Sequence, residues 1–143
     1  MKATVLLVED SKIQKLTNER ILLKAGYSVL NAEDGEEAIR LAQEKIPDIV
    51  LLDMLLPKLG GAEVIRALKG NLATAGIPVL VLSSLPQANE QKLKTEGAAG
   101  YFEKSRLLAN KGGEADFVIM IETLIRESKD EERAKAAFAG EQR

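Results

Sequence analysis

The sequence predicts an α/β fold built on a doubly wound sheet of five parallel strands. Short, continuously apolar runs recur along the chain, and such runs are typical of strands that are buried on both faces. Segments with helical periodicity lie between them. This alternation favours a parallel sheet with right-handed crossovers, and five strands of this length fit the flavodoxin-like strand order 2-1-3-4-5.

The first strand and helix are predicted from the opening 26 residues. Residues 3–8 are too continuously apolar for a half-exposed strand. Ser11 can cap the helix that follows, and Gly26 is placed to end it. The apolar stripe of this helix, which we expect to face the sheet, comprises Ile13, Leu16, Ile21 and Leu22.

The next two strands flank a second helix. A shorter strand is predicted near residues 28–32, and a buried one over residues 48–53. Residues 35–45 show helical periodicity, and Pro47 closes that helix. Its inward residues are predicted to be Ala38, Ile39, Leu41 and Ala42.

The second half of the sheet is predicted in the same way. A loop over residues 57–61 leads into a helix whose inward residues are Val64, Ile65 and Leu68. Glycines then mark the turn into a fourth strand, 77–83. The segment 86–96 is hydrophilic and only weakly helical, and residues 100–103 form the fifth strand.

The C-terminal part is predicted as a loop, a helix and a tail. Residues 105–113 suggest a loop, 114–127 the last helix, and 128–143 a helical or flexible tail outside the domain of residues 1–127. Phe117, Met120 and Leu124 are expected to face the sheet. A second apolar stripe would then need cover from the folded-back tail or a second subunit: Val118, Ile121 and Ile125.

Composition excludes several classes of protein. The chain has 143 residues, 45% of them apolar and 29% charged, which is typical of one globular domain. A net charge of −2 without a basic block argues against nucleic-acid binding. The absence of cysteine and histidine excludes disulfides, thiolate or imidazole metal ligands and a histidine base. No membrane-spanning run or signal peptide is evident, so a cytoplasmic location is expected.

Four predicted strands end on residues that carry chemistry. Glu9 and Asp10 follow the first strand, Asp53 ends the third, Ser83 ends the fourth, and Lys104 follows the fifth. Because ligands in open parallel sheets bind beyond the carboxyl ends of the strands, we expect these five residues to meet in one place.

Three carboxylates, a hydroxyl and an ammonium suit a divalent cation and a phosphoryl group. Mg²⁺ prefers hard oxygen ligands, an aspartyl carboxylate can attack phosphorus, and lysine binds phosphate as a point charge. Taken singly, Asp10 and Ser83 have ordinary explanations as cap or turn residues, and Lys104 as a solvated charge. Their joint placement at strand ends favours a site.

These features resemble the receiver domain of two-component response regulators over roughly residues 3–127. The matching stretches are Val8-Glu9-Asp10-Ser11, Leu52-Asp53-Met54-Leu55-Leu56-Pro57 leading to Gly61, Pro78-Val79-Leu80-Val81-Leu82-Ser83, and Gly97-Ala98-Ala99-Gly100-Tyr101-Phe102-Glu103-Lys104. The resemblance implies that Asp53 accepts a phosphoryl group from a histidine on a sensor kinase or a phosphotransfer protein.

The resemblance also assigns roles to the surrounding residues. Asp10 would bind Mg²⁺ directly, Glu9 largely through water, and the backbone carbonyl of Leu55 would complete the protein ligands with Asp53 itself. Ser83 would be the switch hydroxyl and Lys104 the phosphate-binding lysine. The rotamer of an aromatic residue, Tyr101, would follow the hydroxyl.

Three features depart from the family pattern. Ser105 stands where a proline, often with a cis bond, usually follows the lysine, so the bond geometry at that position is open. Residues 105–113 resemble an insertion. Gly60 occupies a position where an acid is common.

The expected function is a stand-alone phosphoacceptor that is not itself an enzyme and signals through protein–protein contacts. Only 39 residues follow Lys104, which suggests no DNA-binding output domain. The output surface would comprise the fourth helix, the fifth strand and the last helix, and a homodimer through the last helix is a further expectation. Two alternatives stay open: a receiver-like scaffold that is not phosphorylated, and a Mg²⁺-dependent phosphohydrolase, which the apolar Leu55 makes less favourable.

Overall fold

The predicted strand order is confirmed. The computed structural model describes residues 3–53, 60–83, 90–109 and 112–141. Its five strands are β1 (Thr4–Val8), β2 (Ser28–Ala32), β3 (Ile49–Asp53), β4 (Val79–Ser83) and β5 (Gly100–Glu103). They pair in parallel in the order β2-β1-β3-β4-β5. The strands β1 and β3 are therefore neighbours in the middle of the sheet.

Helices cover both faces of the sheet and create two hydrophobic cores. They are α1 (Lys12–Lys24), α2 (Gly35–Lys45), α3 (Gly61–Lys69), α4 (Glu90–Glu96), α5 (Ser105–Ala109) and α6 (Gly113–Glu141). One core joins the sheet to α2, α3 and α4, and the other joins it to α1 and α6. Within the described residues, no helix is long and apolar enough to cross a membrane.

The predicted apolar stripe of α1 is half wrong. Ser11 caps the helix, and Ile21 and Leu22 are buried as expected. Ile13 and Leu16, however, are 79% and 65% exposed. With 3.6 residues per turn, these two side chains lie on the opposite side of the helix from Ile21 and Leu22, so α1 carries an apolar outer surface as well.

The expectations for the last helix also need correction. Phe117 is buried as predicted, but Ile121 and Ile125 are buried too, whereas Met120 and Leu124 are only partly buried. The sheet therefore already covers part of the stripe that was expected to need a partner. The large apolar residues that α6 leaves exposed are Ile119, at 58%, and Phe138, at 64%.

The C-terminal segment extends α6 instead of folding back over it. The helix is continuous from Gly113 to Glu141, which excludes cover by a folded-back tail. Ser128 donates a hydrogen bond from its hydroxyl to the Gly76 carbonyl at 2.9 Å, and the Lys129 ammonium lies 3.6 Å from Asp48. These contacts hold the extension against the edge of the sheet opposite the predicted site.

The C-cap of α2 places a branched residue in a left-handed conformation. Ile46 has φ 44° and ψ 67°, a region that costs an L-residue with a β-carbon roughly 1–2 kcal/mol. Its side chain is half exposed, so its removal sacrifices little packing. This position is therefore a local source of instability.

We predict that Ile46→Gly unfolds at higher urea concentration than Ile46→Ala, by about 1 kcal/mol of unfolding free energy. Both variants remove the side chain, but only glycine relieves the backbone conformation. Urea titration followed by circular dichroism measures the difference. Equal stability of the two variants would show that the conformation carries no strain.

Candidate functional site

The strand ends bring the predicted residues to one edge of the sheet. Glu9, Asp53 and Ser83 are buried, with 1%, 5% and 2% exposure, and Asp10 is exposed. The backbone N–H of Lys104 donates to the Ser83 carbonyl at 2.9 Å. The last ladder bond between β4 and β5 therefore sets where the lysine leaves the sheet.

Three carboxylates form a cluster that fits a hard divalent cation. Glu9, Asp10 and Asp53 each offer an oxygen, and these oxygens lie within 4.8 Å of one another. An exposed Asp10 beside two buried acids leaves one side open to water, and Mg²⁺ usually keeps several waters. The donor set therefore suits Mg²⁺. The Leu55 carbonyl, predicted as a further ligand, lies outside the described residues.

The ammonium of Lys104 bridges this cluster to α1. Its Nζ lies 3.2 Å from Oδ1 of Asp53 and 3.4 Å from Oε2 of Glu9. It also donates a shorter hydrogen bond, 2.7 Å, to Oε1 of Gln14. The ammonium therefore donates hydrogen bonds to Gln14 and Glu9 and forms an ion pair with Asp53.

Gln14 is the contact that sequence reasoning missed. Ser11 and Gln14 have the spacing of a capping box, in which the glutamine side chain returns to the backbone of the cap residue. That pattern would give Gln14 a local role only. Gln14 also precedes the buried Asn18 by one helical turn, so the two lie on the same side of α1, and this spacing was the available signal.

Burial makes Glu9 hard to ionise. Its pKa rises from 4.5 to about 7, first because the side chain is removed from water and then because the Asp53 carboxyl is its neighbour. The Ser11 N–H, which donates to Glu9 at 3.2 Å, and the charge of Lys104 act in the opposite direction. The contacts with Ser11 and Lys104 therefore do not offset burial and the neighbouring acid, and additional positive charge at this cluster would favour the ionised form of Glu9.

Ser83 and Tyr101 lie on the same face of the sheet. Ser83 pairs with Glu103 and Val81 with Tyr101, and side chains two residues apart on a strand share a face. Tyr101 is 8% exposed and packs in the core beneath α3 and α4. It also lines a cavity of about 430 Å³ between α4, β5 and α6.

The segment after Lys104 is a helix, where a loop was expected. Ser105 starts α5 directly, and the described residues contain no cis peptide bond. Arg106 stacks 4.6 Å above the Phe102 ring and pairs with Asp116 of α6 at 2.9 Å. These contacts fix α5 beside the site. Gly60, where an acid is common in the family, is the N-cap of α3 and makes no side-chain cap bond.

A groove of about 270 Å³ lies between α1 and α5 at the mouth of the site. Its lining combines the site lysine with side chains of both helices: Ile13, Gln14, Thr17, Asn18, Lys104 and Leu107. Ile13 contributes an exposed apolar wall. A molecule that approaches Asp53 from this side would contact the groove.

We predict that the metal-free protein loses stability as the pH rises from about 5 to 8. Between the ordinary pKa of 4.5 and the folded-state value of about 7, the folded protein holds a proton on Glu9 that the unfolded chain has released. The folded state then binds more protons, so the contribution of Glu9 to stability is fully present below pH 4.5 and is lost as the pH rises through 7.

Urea denaturation at several pH values measures this slope, with Glu9→Gln as the control. The variant should flatten the profile, and millimolar Mg²⁺ should restore stability at pH 8 in the wild type. A slope that survives in Glu9→Gln would assign the titration to other groups.

Comparisons with known proteins agree with this geometry. The sequence model of the response regulator receiver domain matches residues 5–109. A gliding motility regulatory protein of Myxococcus xanthus is 40% identical over 104 residues, which are 72% of this chain and 13% of that protein. This chain therefore spans only a small part of that relative. Protein PilH of Pseudomonas aeruginosa is 34% identical over 103 residues, 71% of this chain and 85% of PilH.

A solved structure of a magnesium-bound receiver domain is also similar to this chain. The receiver domain of a Pseudomonas aeruginosa sensor histidine kinase, with a magnesium ion coordinated in its active site cleft, is 26% identical. The match has a TM-score of 0.75 and covers 87% of this chain and 98% of that one. The chain belongs to the response regulator receiver domains of two-component systems.

Proposed function

We propose that this chain is a phosphoacceptor that takes a phosphoryl group from a phosphohistidine onto Asp53 and signals by binding another protein. The observation that carries the proposal is the Asp53 carboxylate, 3.2 Å from the Lys104 ammonium and clustered with Glu9 and Asp10. A receiver-like scaffold would have no need to bury two adjacent acids beside one lysine. The intact set therefore favours chemistry over a purely structural role.

The transfer requires positioning more than acid–base catalysis. A carboxylate oxygen of Asp53 forms a bond to phosphorus, the phosphorus–nitrogen bond of the donor breaks, and the histidine nitrogen keeps the electron pair. Glu9, Asp10 and Asp53 would hold Mg²⁺, which supplies positive charge toward the phosphoryl oxygens. Lys104 provides a second positive charge from the protein itself.

The exposed apolar surface of α1 is the proposed docking site of the histidine donor. Ile13, Leu16 and Leu23 are more than half exposed on this helix, and the groove beside Ile13 leads to Lys104. Apolar residues of this size at the mouth of a charged site fit a helical partner surface. The donor is a sensor histidine kinase or a phosphotransfer protein.

The surface formed by α4, β5 and α6 is proposed to bind the output partner. Ser83 can donate a hydrogen bond to the added phosphoryl group, and Tyr101, on the same face of the sheet, borders the cavity between α4, β5 and α6. A change in the packing of Tyr101 would alter that surface, where Ile119 is exposed. A partner protein, or a second copy that binds through α6, would bind the changed conformation more tightly and shift the population toward it. This interaction is proposed to take place in the cytoplasm.

We predict that a small acyl phosphate donor with Mg²⁺ adds one phosphate to the wild type and none to Asp53→Asn. Lys104→Ala should accept phosphate about tenfold or more slowly, because a positive charge beside the transferred group is lost. Intact-protein mass spectrometry measures uptake. Phosphate on Asp53→Asn, or uptake that survives removal of the metal, would refute the assignment.

Ser83→Ala separates uptake from response in the same experiment. Its hydroxyl contacts the product and takes no part in the attack, so the variant should accept phosphate and yet not change conformation. Amide NMR spectra before and after phosphorylation measure the response. A shift of the α4, β5 and α6 signals as large as in the wild type would exclude Ser83 as the switch.

A charged outer surface on α1 should block the protein donor but not the small one. For Ile13→Lys with Leu16→Lys, we expect transfer from phosphorylated histidine kinases of the same genome to fall about tenfold or more, since losing a central apolar contact at an interface commonly costs over 1 kcal/mol. Uptake from acyl phosphate should stay unchanged.

Leu72→Lys is the matched control for that experiment. Leu72 is 99% exposed, but it lies in the turn before β4, at the edge of the sheet opposite the site. Kinase transfer to this variant should equal that to the wild type. If the α1 variant and the Leu72 variant behave alike, the donor docks elsewhere.

A further inference from the structure

The resting position of the Lys104 ammonium depends on a residue outside the acidic cluster. The shortest of its three contacts is the 2.7 Å bond to Oε1 of Gln14, against 3.2 Å to Asp53 and 3.4 Å to Glu9. Gln14 is exposed and uncharged. It therefore holds the lysine toward the mouth of the site without adding to the negative charge.

The local structure of α1 shows that Gln14 is not used as an ordinary cap. In a capping box its side chain would accept from the Ser11 N–H. That N–H donates instead to Oε1 of Glu9 at 3.2 Å. The Gln14 backbone N–H does donate to the Ser11 hydroxyl at 3.4 Å, so half of the motif is present and the glutamine side chain is left for Lys104.

We propose that Gln14 is a positioning residue that restrains Lys104 in the unphosphorylated protein and competes with the phosphoryl group for its ammonium. This proposal rests on the proposed function. Three oxygens lie within 3.4 Å of the Lys104 ammonium, and those of Gln14 and Glu9 accept hydrogen bonds from it, so further contacts with phosphoryl oxygens have to compete with these neighbours. The Gln14 amide is neutral, and a neutral acceptor binds an ammonium less strongly than a phosphoryl dianion does.

The competition has a definite sign. Loss of the Gln14 acceptor removes an interaction from the unphosphorylated state and leaves the contact between Lys104 and the phosphoryl group intact. A single hydrogen bond typically contributes about 0.5–1.5 kcal/mol net. Removal of the acceptor should therefore tighten binding of a phosphoryl mimic by about two- to tenfold.

The test is a double-mutant cycle on the full chain, with beryllium fluoride and Mg²⁺ as the probe. Gln14→Met keeps the length of the side chain but lacks the acceptor. We expect it to tighten beryllium fluoride binding, measured by amide NMR titration, and to have no effect in a Lys104→Ala background. The same tightening in both backgrounds, or none in the wild-type background, would overturn the proposal.

Thr17→Val is the matched control, because Thr17 lines the same groove and its hydroxyl donates to the Ile13 carbonyl. We expect wild-type affinity for beryllium fluoride in this variant. Tightening equal to that of Gln14→Met would assign the effect to the groove in general and would refute the role of Gln14.

A second measurement tests the contact without metal or phosphoryl mimic. In ¹⁵N-labelled protein, the Lys104 ammonium should be more mobile in Gln14→Met than in the wild type, and unchanged mobility would refute the restraint. The titration also includes Asp53→Asn. If wild type and Asp53→Asn bind beryllium fluoride alike, the proposed function fails and the competition fails with it, whereas the ammonium dynamics report on the restraint alone.

Discussion

Two carboxyl groups buried against one ammonium impose the constraint on which the site depends. Glu9 and Asp53 are at most 5% exposed, and Lys104 lies within 3.4 Å of both. Burial, and then the neighbouring Asp53 carboxyl, raise the pKa of Glu9 although the charge of Lys104 opposes the shift. Positive charge beside Glu9 and Asp53 therefore favours their ionised forms.

The parallel sheet is what makes this arrangement possible. Glu9, Asp53 and Lys104 are far apart in sequence, but β1, β3 and β5 all end at the same edge. The strands behind them are almost entirely buried between the two cores. This burial fixes their register, because a slip of one residue would move every side chain of a strand from one core to the other. Core packing thus sets the positions of the acids, and their contacts with each other and with Lys104 follow from those positions. This rigidity lets a site keep groups together that repel each other.

Sequence patterns predicted the sheet and its edge well, and predicted the helix surfaces less well. A strand that is buried on both faces needs apolar residues at nearly every position. The apolar runs therefore predicted the strands and their order, and the residues at the strand ends predicted the clustered acids. A helix with apolar residues beyond one stripe can turn more than one side toward the sheet, so its sequence does not decide which side is buried. Ile13 and Leu16 on α1, and Ile121 and Ile125 on α6, were therefore assigned to the wrong sides. Gln14 had no predicted part in the site, because its contact with Lys104 joins residues far apart in sequence and depends on how α1 packs beside β5.

The segment after Lys104 shows how a departure from the family pattern can be compatible with the site. Where a proline would stiffen the chain, Ser105 begins α5, and the Leu107 N–H donates to the Lys104 carbonyl at 3.0 Å. Arg106 then ties α5 to β5 through Phe102 and to α6 through Asp116. The first turn of a helix restricts the backbone much as a proline would. The lysine is thus held between a ladder bond from β4 and a helix start, and the rest of its freedom lies in the side chain that Gln14 contacts.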